Sequence, residues 1–397
     1  MTPTTGFGPT GARLYLDHAS AAPWHPAALQ AAHHVAAEFP ADPARVHREG
    51  RAAADLLESA RAAVAAAIGG TAERVVFTSG GTEAVHLAVR GAAAANRTRP
   101  ARILSSAVEH SAVLAAADAT GLEHRRVPVD ASGRVDLDAL ATQLRRGAAV
   151  VSVQHANHEV GALQPLEEVA ALCREADALL HVDACQTVGR LPVDLEALGA
   201  DFLSLSGAKF GGGRGVGALL YSPRARFRAL QTGDERERHR RAGLENLPGV
   251  AALAEALLQL APHDPQGTAA RSAADCDVER RRLRARLRES VDDLQVHGPE
   301  QLSAPHVVAV SALYVDGAAL VAALDERGFA VHSGSSCAST SGEPSHVLVA
   351  MGALTHGHVR VSFGGDTDRA ALARFPEAFA DSVQRLRARA TDLGSLT

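Results

Sequence analysis

The chain has 397 residues, of which 46% are hydrophobic and 21% charged, and its formal net charge is -5. This balance is typical of a globular protein with two domains, or with one large and one small domain, and no basic block suggests a nucleic-acid surface. No apolar run is long enough to span a bilayer, and no C-x-x-C pair suggests a disulfide framework or a metal site. We therefore expect a cytoplasmic protein without membrane, nucleic-acid or metal partners.

From about residue 50 to residue 221, the pattern alternates between helices and strands. The predicted helices are 51–68, 82–95, 111–119 and 166–176. The predicted strands are 74–78, 102–105, 149–154, 179–183, 201–206 and 217–221. Continuous apolar strands between amphipathic helices predict an α/β fold with a mostly parallel sheet covered on both faces.

Beyond about residue 225 the pattern changes. The charge run 234–241 (DERERHRR) predicts a solvated loop, and residues 277–290 predict an arginine-rich helix. Shorter strands at 307–310 and 358–363 predict a second, smaller α+β unit. We expect a large domain over 14–250, and a small domain formed by 1–13 and 251–397.

Lys209 is the only lysine, beside 39 arginines. Arginine can replace lysine wherever a positive charge is enough, but it cannot become the neutral amine that attacks a carbonyl. One surface lysine retained by chance would give the same composition, so the neighbours of Lys209 must decide between these readings.

Polar residues follow five predicted strands, and ligands of such sheets bind at the carboxyl ends of the strands. These polar segments are 79–82, 109–110, 155–157, 183–186 and 206–209. Gly80 and Gly81 would let an anion approach a helix N-terminus, although a capped turn has the same pattern. Asp183 could hold a pyridinium nitrogen protonated or could cap a helix, and His110 could stack on a cofactor ring or be an ordinary loop residue.

Two other motifs are weaker. The segment 155–159 (HANHE) follows a strand, so its two histidines need not share a face as metal ligands on a helix would. The glycine cluster 211–217 (GGGRGVG) precedes a strand instead of opening a helix, which argues against a dinucleotide-binding fingerprint.

Cys337 lies in a stretch of small polar residues, 333–342 (SGSSCASTSG). Cys173, by contrast, has apolar neighbours and is expected to be a buried structural cysteine. A thiol on an exposed loop of small residues is suited to nucleophilic attack and sulfur transfer.

Several segments in this order resemble the cysteine desulfurases, within the class V aminotransferase group of fold-type-I pyridoxal-phosphate (PLP) enzymes. They are TSGGTEA (78–84), VEHSAV (108–113), HANHEVG (155–161), HVDACQTVG (181–189), SGAKFGGGRGVGAL (206–219) and SGSSCASTSGEPSHVL (333–348). The resemblance implies a seven-stranded, mostly parallel sheet in the large domain, and a small domain that carries the cysteine loop.

The resemblance also implies a role for each matching residue. Lys209 would hold the cofactor as a Schiff base and then move the substrate Cα proton. Asp183 would pair with the pyridine nitrogen and His110 would stack on the ring. The remaining cofactor contacts would come from Asn157, Gln186, Gly81, Thr82 and Ser206. Arg360, with Asn157, would bind the substrate carboxylate, and Cys337 would attack the substrate sulfur.

The chain also departs from the family pattern. Ala208 stands where the family usually has a histidine that touches the phosphate, and Leu244 replaces the threonine that a partner subunit contributes. Residues 42–45 (DPAR) replace N-P-[SA]-S, and His158 replaces the second asparagine of H-x-N-N-E. Losing two phosphate contacts predicts weaker cofactor retention unless Arg45 or His158 compensates.

The sequence thus predicts a homodimeric, PLP-dependent cysteine desulfurase. It would convert L-cysteine to L-alanine and pass sulfur from a Cys337 persulfide to an acceptor protein or biosynthetic enzyme. A related C–S lyase or selenocysteine lyase, and a weakly active sulfur-relay scaffold, are alternatives.

Overall fold

The computed structural model describes residues 13–96, 98–260, 268–334 and 344–394. Cys337, the predicted nucleophile, lies outside the described residues. The strands are β1 (Leu14–Tyr15), β2 (Val75–Thr78), β3 (Arg102–Ser106), β4 (Glu123–Val127), β5 (Val150–Gln154), β6 (Leu179–Asp183), β7 (Phe202–Ser206), β8 (Gly217–Tyr221), β9 (Leu294–Val296), β10 (Val307–Ala312), β11 (Phe329–Ala330) and β12 (His358–Ser362).

The helices cover both faces of the large sheet and part of the smaller one. They are α1 (Pro26–Glu38), α2 (Arg48–Ala67), α3 (Gly81–Ala95), α4 (Ser111–Asp118), α5 (Leu137–Leu144), α6 (Leu166–Glu175), α7 (Arg236–His239), α8 (Leu247–Leu260), α9 (Thr268–Ser290), α10 (Gly317–Glu326), α11 (His346–Ala350), α12 (Arg369–Leu372) and α13 (Phe375–Gly394). In the described residues, no helix is both long and apolar enough to cross a membrane.

The large sheet has seven strands in the order β2-β8-β7-β6-β5-β3-β4. Neighbouring strands from β7 to β4 run parallel, whereas β8 is antiparallel to both β2 and β7. The central strands are buried along their whole length, because helices cover the sheet on both sides. The predicted fold class is therefore confirmed. The carboxyl ends of β2, β3, β5, β6 and β7 lie at one edge of this sheet.

The apolar core of the smaller unit is separate from the two clusters that contain residues of the large sheet. The larger core includes α8, whose Leu253 and Leu257 pack with the helices and strands of the large sheet. The smaller core joins Leu16 to the antiparallel sheet β12-β10-β9 and to α13. The predicted domain limits, 14–250 against 1–13 and 251–397, stay a prediction.

The charge run 234–241 is largely exposed or half-buried, in keeping with the predicted solvated loop, but one of its residues is buried. Glu237 is 5% exposed, and its carboxylate forms a buried ion pair with Arg61, with 2.7 Å between Oε2 and Nη1. It also accepts a hydrogen bond from the Phe77 N–H at 2.9 Å. The expectation fails at Glu237 because two buried charges can compensate each other, and composition alone does not reveal the partner.

Candidate active site

A cavity of about 390 Å³ opens at the carboxyl edge of the large sheet. Eight of the predicted site residues line it: Gly81, Thr82, His110, Asp183, Gln186, Ser206, Lys209 and Arg360. Seven of them follow strands of the large sheet, while Arg360 lies on β12 of the small one. The cavity thus lies where the two units meet.

Lys209 is the last residue of a short 3₁₀ helix, Gly207–Lys209, that directly follows β7. Its amine donates hydrogen bonds to the carbonyl oxygens of Ala19, at 2.9 Å, and Ser20, at 2.8 Å. Burial lowers the pKa of Lys209 from its usual 10.5, which raises the fraction of neutral amine at a given pH. The neutral amine is the form that attacks a carbonyl.

Asp183 ends β6, and its Oδ1 accepts a hydrogen bond from the Cys185 N–H at 3.0 Å. Gln186, one turn further, donates from Nε2 to the carbonyl oxygen of Ala19 at 2.9 Å. Lys209 and Gln186 therefore share an acceptor, which connects the ends of β6 and β7 to the N-terminal segment of the chain.

His110 is the N-cap of α4, and its Nδ1 accepts a hydrogen bond from the Ala112 N–H at 3.1 Å. When the imidazole is neutral, its hydrogen is therefore on Nε2. Burial, helped by the neighbouring His158, lowers the pKa of His110 to about 4. The two imidazole rings meet edge to face, with 5.1 Å between their centroids.

Gly81 is the first residue of α3, where the N–H groups of the first turn have no partner within the helix. A Cβ at this position would lie 2.6 Å from the Cys185 Sγ and 3.2 Å from the Ser206 Cβ. The close packing therefore excludes a side chain at the helix N-terminus, and Thr82 and Ser206 line the cavity beside it. A helix N-terminus free of side chains is suited to a phosphate.

Arg360 is 4% exposed, and three acceptors hold its guanidinium. It donates to the carbonyl oxygen of His158 at 2.8 Å, to Asp17 Oδ1 at 2.7 Å and to Ser20 Oγ at 2.7 Å. Its Nε has no hydrogen-bond partner in the described residues. A guanidinium held in this way can accept one more anionic ligand, such as a carboxylate.

Asn157 lies behind the cavity wall and is fully buried. Its Oδ1 accepts hydrogen bonds from the N–H groups of Glu159 and Val160, both at 2.8 Å, and its Nδ2 donates to the carbonyl oxygen of Val108 at 3.0 Å. These contacts shape the turn after β5, and one Nδ2 hydrogen is left for another partner.

Of the residues that depart from the family pattern, some line the cavity and others do not. Ala208 and His158 line it, so the position at which the family usually has a histidine belongs to the cavity. Arg45 is exposed and forms an ion pair with Asp42, with 3.2 Å between the charged atoms, and it does not line the cavity. Leu244 is 64% exposed.

The sequence reasoning missed several residues that line the same cavity. They are Ala19, Ser20, Gln154 and His332, whereas Ser79 and Cys185, which also line it, belong to the polar segments that the strand-end pattern indicated. Ala19 and Ser20 come from the N-terminal segment and His332 from the small unit, so no strand-end pattern marks them.

Cys173 is 2% exposed, as expected of a structural cysteine. Among the described residues, no cluster of three or more histidine, cysteine or acidic side chains could hold a metal ion.

These residues fit PLP. The cavity volume lies within the range of roughly 300–1,000 Å³ of small-molecule sites. It offers a desolvated amine, a buried carboxylate, a flat imidazole and a helix N-terminus without side chains, which match the aldehyde, pyridine nitrogen, ring and phosphate of that cofactor.

Comparison with known proteins gives the same answer. The family model for aminotransferase class-V matches residues 14–375. The cysteine desulfurase of Cereibacter sphaeroides is 39% identical over 95% of this chain and 97% of its own length. The cysteine desulfurase IscS of Dictyoglomus turgidum is 34% identical, over 94% and 95%.

A solved structure described as a NifS-like protein has 28% sequence identity and a TM-score of 0.84, covering 94% of this chain and all of that one. Proteins of this kind depend on PLP. The chain belongs to the class-V aminotransferase family and, within it, to the PLP-dependent cysteine desulfurases.

Proposed function

We propose that this protein converts L-cysteine to L-alanine and holds the released sulfur as a persulfide on Cys337 before passing it to an acceptor. The observation that carries the proposal is the joint presence of the Lys209 amine and the Arg360 guanidinium in one cavity. Together they provide an amine for a carbonyl cofactor and a cation for an amino-acid carboxylate.

The cofactor would be held by residues that already line the cavity. Lys209 would attach it covalently, Asp183 would pair with its pyridine nitrogen and His110 would cover its ring. When bound, PLP provides an electron sink next to the substrate Cα. Gln186 and the free Nδ2 hydrogen of Asn157 are available for the oxygen substituent of the ring.

The phosphate would bind at the N-terminus of α3, with Gly81, Thr82 and Ser206 as its contacts. Close packing against Cys185 and Ser206 keeps this end of the cavity free of a side chain at Gly81. The Ala208 side chain has no hydrogen-bond donor, so the phosphate would be held by fewer side-chain contacts than the family pattern provides.

The substrate carboxylate would bind Arg360, whose orientation is set by Asp17 and Ser20. A carboxylate bound there would place the substrate in the same cavity as the Lys209 amine. Burial lowers the pKa of Lys209, so once the amine is free it can accept and return a proton at Cα.

Cys337 is proposed as the nucleophile because it follows the cavity residue His332 closely in sequence. It lies three residues after Gly334, which limits the distance between their Cα atoms to roughly 11 Å. In the reaction the Cβ–S bond of L-cysteine breaks and an S–S bond to Cys337 forms. The hydrogen lost by the Cys337 thiol is balanced by one gained at Cβ of alanine.

Two further features of the proposal concern partners and location. We infer that the protein acts as a homodimer and transfers the persulfide sulfur to a separate acceptor protein or biosynthetic enzyme. The free thiols Cys173, Cys185 and Cys276 support a reducing compartment such as the cytoplasm.

The test is to incubate the protein with PLP and L-cysteine and to measure alanine and the mass of the Cys337 peptide. The wild-type protein should form alanine and a peptide heavier by one sulfur atom. Cys337→Ser should form neither, while binding PLP as the wild type does. Alanine formation by Cys337→Ser would contradict the nucleophile assignment and would point to a lyase.

A further inference from the structure

Glu159 is a buried carboxylate for which the proposed reaction has no role. It is 1% exposed and follows the cavity residue His158. Its Oε1 lies 3.6 Å from the His158 Nε2. A carboxylate is costly to bury unless hydrogen bonds compensate it, so its partners indicate what it does.

The first partner is Ser345, which follows the segment 335–343 that contains Cys337. The Ser345 hydroxyl donates to Glu159 Oε2 at 2.5 Å. The Ser345 Oγ in turn accepts a hydrogen bond from the Leu348 N–H at 3.3 Å, so Ser345 is also the N-cap of α11. Glu159 is thereby connected to the start of a helix.

Helix α11 is held firmly at this position. Val347 and Leu348 are fully buried in an apolar cluster with Val108, which follows β3, and Val160, which follows β5. The His346 imidazole is hydrogen-bonded to the Glu109 carbonyl oxygen at 2.9 Å. The start of α11 is therefore held against the segments that follow β3 and β5.

Gly334, which directly precedes the same segment, also lies close to Glu159. A Cβ on Gly334 would lie 3.5 Å from Glu159 Oε2 and 2.2 Å from the His358 ring. Its neighbour His332 exchanges backbone hydrogen bonds with Arg360, at 3.2 and 2.7 Å. Gly334 has a φ of +91°, so a side chain there would be strained as well as obstructed.

Glu159 Oε2 thus binds Ser345, which follows the cysteine segment, and lies close to Gly334, which precedes it. We propose that Glu159 is a positioning residue that holds Ser345 beside Gly334 and so sets the approach of Cys337 to the substrate sulfur. This inference rests on the proposed function, because it assumes that Cys337 is the nucleophile.

The chemistry of the contact explains why an acceptor is needed at this position. Burial raises the pKa of Glu159, while the hydrogen bond from Ser345 lowers it again. In either protonation state Oε2 can accept the hydroxyl hydrogen of Ser345. A glutamine amide oxygen can do the same, whereas an alanine cannot.

The experiment compares Glu159→Ala, Glu159→Gln and Ser345→Ala in the PLP-loaded enzyme. Two readouts separate the roles: the single-turnover rate of Cys337 persulfide formation from L-cysteine, and the exchange of the Cα hydrogen of L-alanine in heavy water. The exchange requires Lys209 and Arg360 but no thiol. Asp316→Ala is the matched control for Ser345→Ala, because both side chains cap a helix by accepting a backbone N–H. Asp316 accepts from Ala319 at 2.8 Å and does not line the cavity.

We expect Glu159→Ala and Ser345→Ala to slow persulfide formation by about tenfold to 100-fold, as displacement of a reacting group does. Exchange in L-alanine and the affinity for L-alanine should stay within about twofold of wild type, and Glu159→Gln should restore most of the persulfide rate. The double variant should be no slower than the slower single variant, because both remove one contact.

Persulfide formation at the wild-type rate in both Glu159→Ala and Ser345→Ala would overturn the inference. Equal losses of persulfide formation and exchange would also overturn it, because they would show general damage to the cavity. If Glu159→Ala does not fold, as judged by PLP content and thermal unfolding, Ser345→Ala still decides. Failure of the wild-type protein to form a Cys337 persulfide would contradict the proposed function itself.

Discussion

Arg360 Nη2 lies 2.7 Å from Asp17 Oδ1, in an ion pair that joins the small antiparallel sheet to the N-terminal segment. The guanidinium is 4% exposed and the carboxylate side chain 17%. Asp17 and Ser20 bind Nη2 and the His158 carbonyl oxygen binds Nη1, so the guanidinium that lines the cavity is held in one orientation. The ion pair therefore orients the cation that we assign to the substrate carboxylate.

Replacing Arg360 should weaken substrate binding more than replacing Asp17. Arg360→Lys keeps the charge but loses the planar fork, so we expect kcat/KM for L-cysteine to fall by about 100-fold, or close to 3 kcal/mol. Asp17→Asn keeps a hydrogen-bond acceptor and should cost about tenfold or less. Steady-state alanine formation, with L-alanine binding followed by absorbance, measures both effects. A larger loss in Asp17→Asn than in Arg360→Lys would contradict this assignment.

Gly81 should not tolerate even a methyl group. In Gly81→Ala the new Cβ would lie 2.6 Å from the Cys185 Sγ, so the Cys185 side chain or the backbone around it must shift. We expect the dissociation constant for PLP to rise by at least about tenfold, because the phosphate contacts depend on close approach. Cys185→Ala in the same chain should recover part of the affinity. Titration of the cofactor-free protein with PLP measures both, and the absence of any recovery would show that Ser206, 3.2 Å from the added atom, sets the limit.

Restoring the histidine that the family pattern has before the lysine should strengthen cofactor binding. Ala208 lines the cavity beside Lys209, so Ala208→His can bring an N–H donor to the phosphate. One charge-assisted hydrogen bond, of about 1.5–3 kcal/mol, would lower the dissociation constant for PLP by roughly tenfold or more. Arg45→Ala serves as the control within one subunit, since Arg45 pairs with Asp42 and does not line the cavity. Loss of affinity in Arg45→Ala would instead support the compensation that the sequence suggested.

Buried histidines should make the free energy of unfolding depend on pH below neutrality. His181 is fully buried between Ser152 and Ser204, and burial lowers its pKa from 6.5 to about 4. The unfolded chain therefore takes up a proton below pH 6.5 that the folded protein does not bind. The stability present above pH 6.5 is lost as the pH falls from 6.5 towards 4, at about 1.4 kcal/mol per pH unit for each such group.

His181→Gln should reduce the slope of the unfolding free energy against pH by about 1.4 kcal/mol per pH unit, the contribution of one proton, whatever its effect on stability at pH 7. Urea denaturation at several pH values between 4.5 and 7.5 measures the slope for both proteins. An unchanged slope would show that His181 keeps an ordinary pKa in the folded state. The difference between the two proteins isolates this group from the buried carboxyls Glu109 and Glu159, whose pKa values burial raises.

The regular elements of the large sheet were predictable because their signals are local. Residues 179–183 and 217–221 form β6 and β8 over the predicted ranges, and the helices there differ from prediction by a few residues at their ends. The edge strand β4 (EHRRV) was missed, since it is largely charged and only its last residue is buried. Its strand conformation comes from pairing with β3 along its whole length, which no local pattern encodes.

The sequence by itself identified Lys209, because it is the only lysine in a chain rich in arginine and follows a buried strand. It also identified Asp183, His110 and the glycine turn, because parallel strands bring their carboxyl ends to one edge whatever the details of packing. These are consequences of local chemistry and of topology.

Only the tertiary structure decided which distant residues meet these groups. Asp17 and Arg360, 343 positions apart, form one ion pair, and Glu237 is buried because it pairs with Arg61. Glu159 lies between Gly334 and Ser345 for the same kind of reason. Each of these charges must find its partner when it is removed from water, and the partner is set by how the units pack and not by the neighbouring residues in the chain.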